Sequence, residues 1–248
     1  MTVDLCPGVV IGGRYHLERL IGEGGMGSVW AATHTLTRSQ VALKFLKPEA
    51  VQHAGAVRRF MREARAATSV NHPNVIRVHD IFLQDDSSPV MVMDLLAGES
   101  LAQKLERERR IALPELATIM LPVISAVGSA HAAGIVHRDL KPDNIFLARK
   151  PEGQMSPKVL DFGIAKLDTK RPEAAQSAEL TRTGAMLGTP YYMSPEQVFG
   201  EKDVDARADV WAVGVILYEA LAGVRPVDGE NLGQLLKIIA TGSIPPID

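Results

Sequence analysis

Cysteine is almost missing from this chain: Cys6 stands alone in 248 residues. One thiol excludes an internal disulfide, and a position beside the terminus offers no zinc-ligand spacing. Net charge is also nearly missing. Lys and Arg total 27 against 29 Asp and Glu, a net of −2. That balance excludes a global pull toward nucleic acid or an anionic membrane. Met1 to Gly12 carries neither a basic n-region nor a long apolar run. No secretory signal is read there, and a cytoplasmic location is the expectation. No internal repeat of about 20–50 residues is found. What is present is ordinary for a globular protein, with 46% hydrophobic and 23% charged residues. The length suffices for one large domain or two lobes.

One stretch imitates a membrane span. Leu116 to Val136 holds no Asp, Glu, Lys or Arg and is long enough to cross a bilayer. Ser125, Ser129 and His131 interrupt it, and Pro122 and Gly128 lie inside. Leu116, Ile119, Met120, Val123, Ile124 and Val127 recur at helical spacing, which predicts a buried helix instead.

Chemistry concentrates immediately after that stretch. His137-Arg138-Asp139-Leu140-Lys141-Pro142-Asp143-Asn144 is followed at a short remove by Asp161-Phe162-Gly163. A carboxylate beside a hydroxyl can take its proton. A second carboxylate with an amide can hold Mg²⁺ through hard oxygens, and a lysine can neutralise a moving phosphoryl group. Upstream, glycines at 22, 24 and 27 give G-x-G-x-x-G. In a dinucleotide fold this motif opens a helix. Here Val29 to Thr33 reads as a second strand after Tyr15 to Ile21, which predicts a glycine-rich hairpin over phosphates. Without Cβ atoms such a loop can approach phosphate oxygens and offer its N–H groups. Val41-Ala42-Leu43-Lys44 places a lysine in an apolar strand, where an ammonium needs an anionic partner. Val57, Phe60, Ala64 and Ala67 mark a helix from Val57 to Ser69, and Glu63 lies toward its inward face. Arg59 and Arg62 compete with Lys44 for that carboxylate.

The remaining organisation follows from punctuation and periodicity. Gln40 to Leu46, Val75 to Leu83 and Pro89 to Leu95 complete five predicted strands, with Asn71-His72-Pro73-Asn74 as a break. Ala97-Gly98-Glu99-Ser100 is the predicted hinge. Leu101 to Arg110 reads as a polar helix. Pro114 suits the first turn of the apolar helix and Gly134 its end. Ile145 to Leu147 and Lys158 to Leu160 read as short strands. Asp161 to Glu196 is a long connection with Ser177, Thr181 and Thr183, and loops of that length are usually functional. Ala208 to Ala222 is apolar nearly all round, the pattern of a buried spine, with Asp209 near its start and Gly223 at its end. Leu232, Leu235, Leu236 and Ile239 mark one more amphipathic helix.

Taken in order, these motifs resemble the Hanks-type serine/threonine protein kinases, and most closely their bacterial branch. Gly188-Thr189-Pro190-Tyr191-Tyr192-Met193-Ser194-Pro195-Glu196-Gln197 and Asp205-Ala206-Arg207-Ala208-Asp209-Val210-Trp211 add to the likeness, which runs from about Arg14 onward. The resemblance implies an α+β, bilobal protein-kinase-like fold. Residues 1–95 form a small N-lobe, a five-stranded antiparallel sheet with one helix. Residues 96–248 form a mainly α-helical C-lobe that lacks its last helices. It implies that Asp139 is the catalytic base, Lys141 the γ-phosphate lysine, and Asn144 and Asp161 the ligands of Mg²⁺ or Mn²⁺. Gly22, Gly24, Gly27 and Val29 cover ATP, and Lys44, paired with Glu63, holds its α and β phosphates. Met93 stands at the gatekeeper position, and Asp94 to Leu96 lend backbone groups to adenine. Ile21, Ala42 and Phe146 complete the nucleotide pocket. His137 is implied to be a packed residue with Phe162 and Asp209, and not a base. Thr181 or Thr183 would be phosphorylated and met by an arginine, with Arg138 a candidate.

The implied activity is transfer of the γ-phosphate of MgATP to Ser or Thr hydroxyls of proteins, with a homodimer serving autophosphorylation in trans. Ser194 departs from the alanine of the family's Ala-Pro-Glu triplet. Family members also continue with helices beyond this sequence, one bearing an arginine that meets the counterpart of Glu196. Glu196 is therefore expected to be unpaired. The rival reading is a nucleotide-binding scaffold or regulatory module with little turnover. A dinucleotide-dependent oxidoreductase is the weakest alternative, because Lys44 and Asp161-Phe162-Gly163 would go unexplained.

Overall fold

The structure, a computed structural model, describes residues 4–25, 27–150, 153–162, 190–201, 203–226, 234, 238–239 and 244–247. The chain divides into two compact units. The first is Met1–Asn71 with Ile76–Ala97, the second His72–Val75 with Gly98–Asp248.

In the first unit, β1 (Val10–Ile11), β2 (Tyr15–Glu23), β3 (Gly27–His34), β4 (Gln40–Leu46), β5 (Val78–Leu83) and β6 (Pro89–Asp94) form one antiparallel sheet. Its order is β1-β2-β3-β4-β6-β5. Six strands therefore replace the five expected. The extra one has only two residues, too few for alternation to show. It exists because Gly12 and Gly13, at φ 54° and 65°, turn the chain back so that Ile11 pairs with Tyr15. Leu17, Trp30, Val41, Leu43, Phe45, Val90 and Val92 alternate inward to make the core of the unit.

A short helix α1 (Pro48–Val51) precedes α2 (Ala54–Ser69). Phe60, Ala64 and Ala67 of α2 are buried, and the helix packs on β5 and β6. The strand expected from Val75 starts at Val78. Val75 instead bridges to Val159, and the Asn74 amide donates to Pro157 O at 2.7 Å. That short segment belongs to the second unit.

The second unit holds a three-stranded sheet of β7 (Gly98–Ser100), β8 (Ile145–Arg149) and β9 (Met155–Val159). The predicted hinge is thus partly a strand, pairing Gly98 with Ala148 and Ser100 with Phe146. Glycine is required at 98: φ is 149°, and a Cβ would lie 2.1 Å from the Leu147 carbonyl oxygen. Ser100 and Gln103 close a capping box on α3 (Leu101–Glu108).

The apolar stretch forms α4 (Leu113–Ala132), with Pro114 in its first turn and Gly134 at φ 74° just past its end. Alone it is long and apolar enough to cross a membrane. Yet Leu116, Ile119, Met120, Val123 and Ala126 are buried against the chain itself, on β9 and on α6 (Arg207–Ala222). A short α5 (Pro195–Val198) precedes α6. α6 is buried on one face rather than all round. Ala208, Asp209, Ala212, Val215, Ile216 and Ala220 are inside, while Val210 is exposed. Gly223 caps it at φ 76°. Of the helix expected over 232–239, Gln234, Ile238 and Ile239 are described and helical. Ile239 is buried against Tyr191, Val198 and Trp211.

Candidate active site

In the first unit, β2 runs into β3 through a tight hairpin. Gly22 pairs with Val29, and Gly24 N donates to Gly27 O at 2.9 Å. The glycines differ in what they are for. A Cβ on Gly27 would sit 1.8 Å from the Phe45 carbonyl oxygen, so packing within the chain demands glycine there. A Cβ on Gly22 or Gly24 would meet nothing within 4 Å. Their lack of a side chain leaves room for something other than this chain.

Lys44 lies on β4 between Val29 and Met91 on the flanking strands. Its Nζ is 2.6 Å from Glu63 Oε1, with both side chains 17% exposed. The pair forms because β4 and α2 present them to each other. Neither Arg59 nor Arg62 takes that carboxylate. Ala42 and Met93 are buried opposite each other across β4 and β6. Val29, Asp94 and Leu96 are half-buried, and Ile21 is exposed. Asp94 Oδ1 meets His79 Nε2 at 2.8 Å, and Asp94 N donates to Arg77 O.

In the second unit the loop after α4 is held from below by Asp209, which is 1% exposed. One of its oxygens accepts from His137 N at 2.8 Å and from the His131 ring at 2.7 Å, and the other from Arg138 N at 2.8 Å. Three donors compensate the burial of one carboxylate. Arg138 adopts φ 64° in this loop. Its guanidinium donates to Val204 O, and its carbonyl accepts from Gln197 Nε2, both at 2.7 Å.

His137 is fully buried, with its ring 5.0 Å from that of Phe162. Its Nε2 faces Leu160 O at 2.9 Å and its Nδ1 faces Asp139 N at 3.3 Å. A carbonyl can only accept and an N–H can only donate, so the ring is neutral and protonated at Nε2. Burial pushes its pKa below the ordinary histidine value, against the nearby Asp209 carboxylate. Both nitrogens are occupied, which leaves no base.

Asn144 ends a single 3-10 turn, Pro142–Asn144, and is 9% exposed. Its Nδ2 donates to Asp139 O at 2.7 Å and lies 3.4 Å from Asp139 Oδ2. Lys141 Nζ is 3.6 Å from the same carboxylate oxygen. With the amide nitrogen turned to Asp139, the Asn144 Oδ1 is the end left to face a cation. Leu160 N donates to Asn144 O at 2.8 Å, so the backbone brings Asp161 alongside. Asp161 stands at φ 41°, and with Arg138 it is one of two non-glycine residues of this site in the left-handed region. Such conformations cost about 1–3 kcal/mol and persist where the surroundings enforce them. Phe146 lies on β8 opposite Lys158, half-buried.

Gly163, Thr181 and Thr183 lie outside the described residues. Glu196 forms no ion pair among the described residues. Arg207 pairs with Asp205 at 3.0 Å, and Arg225 with Glu219 at 3.1 Å. Two residues that shape the loop were missed by sequence reasoning: His131 and Gln197. A signal for the first existed, since His131 is the one titratable residue in the apolar run from Leu116 to Val136.

The protein kinase domain family matches residues 15–244. This chain belongs to the protein kinase family, and its relatives are bacterial serine/threonine kinases. It is 40% identical over 244 residues to serine/threonine-protein kinase pkn3 of Myxococcus xanthus, covering 98% of this chain and 44% of that protein. It is 40% identical over 228 residues to serine/threonine-protein kinase PknA of Mycobacterium tuberculosis, covering 90% and 50%. A probable serine/threonine-protein kinase of Streptomyces coelicolor, SCO3848, is 40% identical over 225 residues, covering 89% and 32%. The chain spans about half or less of the length of these curated relatives.

Proposed function

We propose that this chain transfers the γ-phosphate of MgATP to serine and threonine hydroxyls of proteins in the cytoplasm. The observation that carries the proposal is the loop in which the Lys141 ammonium and the Asn144 amide each lie within 3.6 Å of the Asp139 carboxylate. Asp139 accepts the proton of the attacking hydroxyl. Lys141 offsets charge on the phosphoryl group in flight. Asn144 Oδ1 and the Asp161 carboxylate form a hard-oxygen pair, a donor set that suits Mg²⁺ or Mn²⁺ with the remaining positions taken by phosphate and water. The ion, when bound, neutralises phosphate charge and orients the leaving group.

The residues of the first unit take the binding roles. Lys44, oriented by Glu63, holds the α and β phosphates, and Gly22 and Gly24 admit them to the backbone of the hairpin. Ile21, Val29, Ala42, Met93, Asp94 and Leu96 receive the adenine. The scaffold reading gains nothing, because every base, metal and phosphate position is filled.

Nucleotide binding is tested by thermal shift. MgATP raises Tm of the wild type, the rise shrinks when EDTA removes the metal, and Asp161→Asn abolishes the metal-dependent part. An equal rise with and without metal in the wild type contradicts the assignment of Asn144 and Asp161. Autophosphorylation in trans at Thr181 or Thr183 is part of the same proposal. Mass spectrometry after incubation with MgATP is expected to find phosphate on one of them, and phosphate found only elsewhere refutes it.

A further inference from the structure

Helix α2 has two faces of different chemistry. Its single acid, Glu63, points inward and is spent on Lys44. On the opposite side Arg58, Arg62 and Arg65 are all exposed. Their spacing of i, i+4 and i+7 puts them in one stripe, about 10 Å from end to end at 1.5 Å per residue. None has an ion pair among the described residues. The other described helices that carry Lys or Arg do not behave this way. On α3, Lys104 reaches Glu108 at 2.7 Å and Glu115 at 2.8 Å, and Arg107 reaches Glu99 at 2.9 Å. On α6, Arg207 reaches Asp205 at 3.0 Å.

The stripe also opposes the helix that bears it. Like charges three and four residues apart repel. Arg58 lies in the N-terminal half of α2, whose first turn contains no acid and whose N-cap His53 makes no side-chain bond. All the cations are arginines, whose forked guanidinium groups bind oxyanions bidentately.

We propose that the outer face of α2 is a docking surface for an acidic protein segment, one that presents carboxylates at intervals matching Arg58, Arg62 and Arg65. Charge complementarity selects the partner: a row of guanidinium groups without an ion pair among the described residues, on a chain of near-zero net charge. The stripe uses none of the phosphotransfer residues, so the proposal stands or falls independently of them.

The probe is a labelled peptide with glutamates at i, i+4 and i+7, followed by fluorescence anisotropy at low salt. A matched peptide carrying glutamines is the control. Wild type is expected to bind the glutamate peptide, with affinity falling as salt screens the contact. Reversal of the stripe, R58E with R62E and R65E, is expected to weaken binding about tenfold or more. Reversal of two exposed cations elsewhere, R149E with K150E, leaves binding within about twofold. A neutral variant, R58Q with R62Q and R65Q, is expected to keep or raise Tm, since it removes the like-charge repulsion on the helix. A merely structural stripe would lose Tm instead. D139N is expected to bind the peptide as wild type does. Equal binding of both peptides, equal loss in both reversal variants, or preference for anionic lipid vesicles over the peptide overturns the proposal.

Discussion

Neutral and fully buried, His137 has one nitrogen on Leu160 O and the other on Asp139 N. Its place beside Asp139 invites the role of base, and its environment denies it. The same burial has a consequence for stability. In the unfolded chain the ring titrates near 6.5, while in the folded chain its pKa is lowered. Below about 6.5 the unfolded state binds a proton that the folded state refuses, so stability falls as pH drops. Urea unfolding at neutral and mildly acidic pH is expected to show this decline, with a shallower one in His137→Asn. Identical slopes in the two proteins would contradict it.

At this scale much of the site was legible, because Asp139, Lys141, Asn144 and Asp161 sit within a short, ordered run. The hidden part was the support. The resemblance implied that Asp209 lies with His137, but Asp209 also reaches His131, and Gln197 reaches the Arg138 carbonyl; no local pattern reports a hydrogen bond over such separations.

Among the elements, the glycine hairpin gives the sharpest contrast. Gly27→Ala forces a methyl group against the Phe45 carbonyl and is expected to cost about 1–3 kcal/mol of stability. Gly24→Ala meets no atom of the chain. It is expected to change stability by less than about 0.5 kcal/mol while raising KM for ATP several-fold. Thermal unfolding and steady-state kinetics on the two variants separate the roles, and equal stability losses would contradict the distinction.

Regular elements were legible where periodicity ran long, as in α4 and β4. Errors fell where an element is brief or serves two purposes. β1 is too short to alternate. The Gly98–Ser100 strand reads as punctuation because it begins with a glycine that a neighbouring carbonyl requires. α6 reads as apolar all round, yet Val210 is exposed, because small residues on the other side, Ala208, Ala212 and Ala220, are what the fold buries.

For the whole molecule, the family was legible because kinase chemistry needs several kinds of residue in a fixed order. Each unit carries its own part of that order: the glycine hairpin and the Lys44–Glu63 pair in the first, Asp139, Lys141, Asn144 and Asp161 in the second. The stripe on α2 was visible as three arginines, Arg58, Arg62 and Arg65, in the sequence. Its lack of ion pairs among the described residues was not, since pairing depends on tertiary neighbours.

The most direct measurement is transfer of labelled γ-phosphate from MgATP to a generic protein substrate, followed by phosphoamino-acid analysis. Wild type is expected to place label on serine and threonine. Asp139→Asn is expected to lose about 10²–10⁴-fold in rate while still showing the thermal shift with MgATP. Label undiminished in Asp139→Asn, or no transfer by a wild type that binds MgATP, would contradict the account.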